Sequence, residues 1–123
     1  MQEQIKYRTK LIGIKVIQLI DKLPSRPSAM AVARQIVRSS TSIGANYRAA
    51  CRAKSIPDFI NKLKIVEEET DETLYWLEIL EESSLVQKNV ISDLVKETNE
   101  ILSIVVASIT TTKKKLNSQS NQS

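Results

Sequence analysis

Apolar residues recur along this chain at steps of three and four, in stretches separated by short polar or proline-containing breaks, which is the spacing of amphipathic helices. In residues 3–23, Ile5, Ile12, Val16, Leu19, Ile20 and Leu23 fall on one face of a helical wheel. Pro24-Ser25-Arg26-Pro27 ends this helix, because a proline disfavours helical geometry in the residue before it. A second helix is predicted over 28–53, with Ser28 as its cap and Val32, Ile36, Val37, Ile43, Tyr47 and Ala50 on its apolar side. Gly44 lies in its interior at a cost of roughly 1 kcal/mol against alanine, which points to a neighbouring helix passing close by. Ser55 precedes Asp58 by three residues, with Pro57 between them, and reads as the start of a third helix over 57–82. There Phe59, Leu63, Val66, Thr70, Thr73, Leu77 and Leu80 form a seam of alternating four and three steps. Ser83-Ser84 breaks the pattern. A fourth helix over 87–115 presents Ile91, Leu94, Val95, Thr98, Leu102, Val105 and Ile109. The remainder, 116–123, is polar and low in complexity, and is expected to be disordered. Four such helices with short connections predict an all-α, up-down-up-down four-helix bundle, in one domain over residues 1–115.

Composition agrees. Two glycines and three prolines are too few for the tight turns of an all-β protein. The single cysteine, Cys51, permits no intrachain disulfide and reads as a small packing residue. The absence of histidine removes the usual general base, the Ser-His and Cys-His nucleophile pairs, and the Glu-x-x-His ligands of di-iron bundles. The expectation is a non-enzymatic protein with no catalytic residues, cofactor or metal. The N-terminal stretch is broken by Lys6, Arg8, Lys10, Lys15 and Gln18 and does not read as a signal peptide. No apolar run is long enough to span a bilayer. A cytoplasmic protein that does not engage membranes is expected.

The net charge of +4 hides a segregation. Residues 26–64 sum to +7 and residues 65–82 to −8. On the second helix Arg34, Arg38, Arg48 and Arg52 share an arc of about 80°. Guanidinium groups grip phosphate or carboxylate with two parallel hydrogen bonds, so this stripe suits nucleic-acid backbone or an acidic protein surface. It equally suits pairing with the third helix, where Glu67, Glu68, Glu69, Asp71 and Glu72 cluster. Those carboxylates wrap around their helix and cannot all converge on one ion.

A second apolar stripe points to assembly. Ile65, Trp76 and Ile79 lie roughly opposite the third helix's seam, and Tyr7, Leu11 and Ile14 lie off the first helix's main face. One core cannot use both faces of a peripheral helix, so these six residues are predicted at an oligomer interface. The other reading makes them flanks of an irregular bundle.

From Arg34 to Leu80, and more loosely over 7–109, the chain resembles the bacterial four-helix-bundle proteins of the 23S rRNA intervening-sequence family. The resemblance rests on Gln35, Arg38-Ser39-Ser40-Thr41-Ser42-Ile43, Asn46, Arg52, Ser55, Asp58-Phe59 and Tyr75-Trp76-Leu77-Glu78. It implies a left-handed bundle assembled as a five-membered ring. It also points to a related branch, the accessory proteins of diversity-generating retroelements, which are basic and associate with a reverse transcriptase and with nucleic acid. The chain departs from the family pattern at Asn46-Tyr47-Arg48-Ala49-Ala50, where many members have Asn-Ile-Ala-Glu-Gly. The departure predicts a helix continued by a turn, and it adds Arg48 to the basic stripe.

Two functions of different class follow. One is an oligomeric adaptor, a homopentamer offering its arginines to RNA, DNA or a protein–nucleic-acid complex such as a reverse transcriptase. The other is a structural interaction module whose arginines pair with the acidic helix, within or between subunits.

Overall fold

The computed structural model describes residues 1–122. Its helices are α1 (Gln2–Ile20), α2 (Pro27–Cys51), α3 (Ile56–Glu82) and α4 (Lys88–Gln122). Each helix packs on the one before it, α1 also touches α4 over a small area, and among the described residues the backbones of α1 and α3, and of α2 and α4, do not approach closely across the core. That order around the core is an up-down-up-down bundle.

The ends show which local signals carry. Ser55 is extended and its hydroxyl accepts from the Asp58 N–H at 3.2 Å, satisfying one orphan donor of α3. Ser28 does not cap α2. Pro27 takes the first helical position, where its fixed φ suits the helix and its missing N–H costs nothing, so extended Arg26 becomes the flanking residue. α1 stops at Ile20, after which Lys22 and Leu23 bond three residues back and fold Leu23 onto the core. Beyond the end of α3 the chain turns at Ser84, whose φ of 64° is left-handed; its N–H bonds Glu81 O and the Val86 N–H bonds Leu80 O.

α4 runs past Lys115 to Gln122, over the segment expected to be disordered. Leu116 lies two turns beyond Ile109 on the same face and packs against the core, so the apolar stripe outlasts the lysine run. Ser123 of that segment lies outside the described residues.

The core holds most of the expected residues, with Ile12, Val16, Ile36, Ile43, Leu63, Val66, Leu77, Leu80 and Val105 fully enclosed. Each such aliphatic side chain contributes about 1.5–3 kcal/mol by leaving water. Two positions differ from the sequence pattern: Ile60 is buried more deeply than Phe59, and Ile101 more deeply than Leu102. Hydroxyls are buried on all four helices, in Thr9, Ser39, Ser40, Thr70, Thr73 and Thr98. Each donates to a carbonyl three or four residues back, and Thr73 also meets Ser39 Oγ across the α2/α3 seam at 2.9 Å. Because every hydroxyl has a partner, the layer avoids the penalty of an unpaired buried polar group.

Candidate binding and assembly surfaces

The arginine arc forms the solvent-facing side of α2, and its two edges meet different neighbours. Toward α3, the Arg38 guanidinium bonds Glu69 at 3.2 Å and also Glu72. Trp76 Nε1 donates to the same Glu72 carboxylate at 3.2 Å. The Glu72 hydrogen bond, aided by the Glu69 charge, raises the Arg38 pKa above its ordinary value. Toward α1, Arg48 borders a surface groove. Arg34 and Arg52 lie between these edges, about 27 Å apart along the helix. Among the described residues no carboxylate pairs with Arg34, Arg48 or Arg52, and all three are exposed. The stripe thus divides into one arginine committed to α3 and three presented outward.

The acidic helix divides in the same way. Glu69 and Glu72 turn to α2, whereas Asp71, Glu78 and Glu81 border a groove between α3 and α4. This second groove, of about 400 Å³, has an apolar floor that includes Leu74, Ile91 and Leu102, and no lysine or arginine among its lining residues. The α1/α2 groove is larger, about 720 Å³, and carries Lys6, Lys10 and Arg48 with Glu3 as its only acid. Glu3 is held by Lys6 at 2.9 Å. Gly13 and Gly44 form part of its floor. A Cβ on Gly44 would stand 3.2 Å from Lys10 N, and one on Gly13 would stand 3.3 Å from Thr41 Cγ2. The close approach expected at Gly44 is therefore between α2 and the backbone of α1.

The six residues expected at an oligomer interface do not form one surface. Tyr7 and Ile14 are exposed in the α1/α2 groove, at 65% and 40%. Ile65 is exposed on α3; Leu11 and Ile79 are half-buried. Trp76 is taken into the chain's own packing, against the core and edge-on to Tyr75 with ring centroids 5.0 Å apart. Its flanking position follows from the approach of α2, whose Arg38 shares Glu72 with the indole.

Two further groups are ones that helical periodicity does not single out. Arg8 spans the α1/α4 seam, donating to both oxygens of Glu97 at 2.9 and 2.6 Å and pairing with Glu100 at 3.0 Å. This clamp holds the Glu97 carboxyl below its ordinary value. Lys113-Lys114-Lys115 belong to the same end of the bundle as Arg52, Lys54, Lys62 and Lys64, because antiparallel α4 brings its last turns to the start of α3. The run of three lysines was the available signal. Cys51 is half-buried beside Tyr47, whose hydroxyl is pushed up to about 12 chiefly by burial.

No helix among the described residues is long and apolar enough to cross a membrane. The family model for 23S rRNA-intervening sequence protein matches residues 3–107. A crystal structure of a protein of unknown function from the S23 ribosomal protein family of Bacteroides thetaiotaomicron VPI-5482 is similar, at 32% identity and a TM-score of 0.82. The match covers 89% of this chain and 97% of that one. No curated protein matches.

Proposed function

The chain belongs to the 23S rRNA-intervening sequence protein family, and from that premise we propose that it is a non-enzymatic assembly module that binds nucleic acid. Its homo-oligomer, five subunits by the resemblance, offers the outer face of α2 to the phosphate backbone of RNA or DNA in the cytoplasm. A protein–nucleic-acid complex such as a reverse transcriptase presents the same phosphates. The observation that carries this reading is the division of the stripe. Arg38 is held by Glu69 and Glu72, while Arg34, Arg48 and Arg52 are exposed with no carboxylate partner among the described residues. Unpaired guanidiniums on one helix face can each displace counterions from a phosphate chain.

The test is retention of a duplex DNA and a single-stranded RNA across a salt series, for the wild type and for Arg34→Gln/Arg52→Gln. Both substitutions leave Arg38 and the α1/α2 groove intact. Wild-type binding falls steeply with salt, and the variant weakens it about equally for unrelated sequences. On duplex DNA the slope of log affinity against log salt flattens by about 0.9 for each phosphate that the protein no longer neutralises. Absence of binding at the lowest salt retires the nucleic-acid reading. A structural module whose arginines pair between subunits is then favoured by one observation: Arg48 borders a groove with an exposed apolar floor.

A further inference from the structure

We propose that the α1/α2 groove of one copy is covered by the α3/α4 groove of a second copy of this chain, in a head-to-tail contact. This rests on the assembly reading above and names the faces that meet. In the cyclic order of the helices these two grooves occupy opposite sides of the bundle. The first leaves Ile14 and Ile17 open to water and the second leaves Leu74, Val95 and Leu102 half-buried, an unfavourable arrangement for a face without a partner.

Their charges are opposite. Lys6, Lys10 and Arg48 border the first groove, and its one acid is tied to Lys6. Asp71, Glu78 and Glu81 border the second with no base. Each groove also carries a protruding tyrosine, Tyr7 at 65% exposure and Tyr75 at 54%. Gly13, Gly44 and Ala45 line the depression that would receive Tyr75, where the two glycines let α1 and α2 pass closely. Helix surfaces of this kind join ridge into groove. Acidic and basic rims then fix the polarity of the contact and disfavour like faces meeting.

A contact between two different faces leaves each joined pair of copies with one free face of each kind. The assembly must then close as a ring or grow as a filament, and cannot stop at a two-fold dimer. This polarity is also how three acids of α3 that Arg38 cannot reach find cations.

The experiment measures absolute mass in solution by light scattering, with helicity checked by circular dichroism. Four chains are compared: wild type, Lys10→Glu/Arg48→Glu, Glu78→Lys/Glu81→Lys, and the chain carrying all four reversals. The expected result is an oligomeric wild type, each double variant helical and reduced to 13.9 kDa, and assembly restored when both faces are reversed together. Double variants that assemble like the wild type overturn the proposal and leave the assembly reading standing. Failure of the fourfold variant to reassemble overturns the pairing of these two faces. A wild type of 13.9 kDa at micromolar concentration removes the assembly reading itself, and this inference with it.

Discussion

Replacing Gly44 by alanine sets two effects of similar size against each other. In a helix interior the change gains about 0.8–1 kcal/mol of propensity. At this position the new methyl would stand 3.2 Å from Lys10 N and 3.3 Å from both Lys10 Cα and Thr9 C. All three are main-chain atoms of α1, so a rotamer change cannot relieve the crowding, and the whole helix must move outward by a few tenths of an ångström. Overpacking of this kind costs about 1–3 kcal/mol. The expected balance is a net destabilisation of about 1 kcal/mol, which lowers Tm by about 4–6 °C in a domain of this size. Gly13→Ala is the internal control. Its nearest new contact is a side-chain methyl, Thr41 Cγ2 at 3.3 Å, which can yield, so propensity and crowding nearly cancel. Thermal unfolding should be followed at several protein concentrations, because self-association adds concentration-dependent stability. A Gly44→Ala variant whose Tm is no lower than that of Gly13→Ala would mean that α1 has slack at the crossing, and would refute the expected crowding.

Ser84 adopts a left-handed conformation at φ 64° after α3; Ser84→Gly removes that strain and should stabilise by about 0.5–1 kcal/mol in urea unfolding. Arg8 holds the folded-state carboxyl of Glu97 below its unfolded value of about 4.3, so the pair's stabilisation is fully present above about pH 5 and is lost as pH falls through the folded value. Glu97→Gln should therefore cost about 0.5–1 kcal/mol at pH 7, discounted for partial exposure, and the two proteins should converge in acid. A gap that persists unchanged at pH 3 would show that packing, not charge, is what the glutamine disturbs. Leu116→Ser removes the last apolar anchor of α4 and should lower Tm by about 3–5 °C, whereas no change would mean that the final turns contribute nothing.

The fold was legible because 3.6-residue periodicity is strong in every helix and turn residues are scarce. Where two apolar residues adjoin, periodicity loses its resolution. Phe59-Ile60 and Ile101-Leu102 each offer two candidates about 100° apart, and only the approach of the neighbouring helices makes Ile60 and Ile101 the deeper ones. Trp76 shows the same limit, since a second stripe and the flank of a seam look alike until α2 is placed beside it. The arginine arc was visible as spacing, but its division between Arg38 and the rest depends on which edge of α2 faces α3. Arg8 could not be singled out at all, because its partner Glu97 lies 89 residues away. The polar composition after Lys115 points to a helix end there, whereas the two-turn step from Ile109 to Leu116 carries α4 onward.

The near-confinement of helix contacts to chain neighbours has a kinetic consequence. Each hairpin closes over a short connection, so most of the core can be assembled without a large loop-closure cost, the regime of low contact order and fast folding. The α1/α4 seam is the exception. Bringing Arg8 to Glu97 first, across 89 residues of unfolded chain, costs about 4 kcal/mol plus a constant. That contact belongs after the rate-limiting barrier, once the intervening hairpins have shortened the path. Severing it should therefore speed unfolding and leave the refolding rate unchanged, so that the clamp between the first and last helices sets the lifetime of the native bundle.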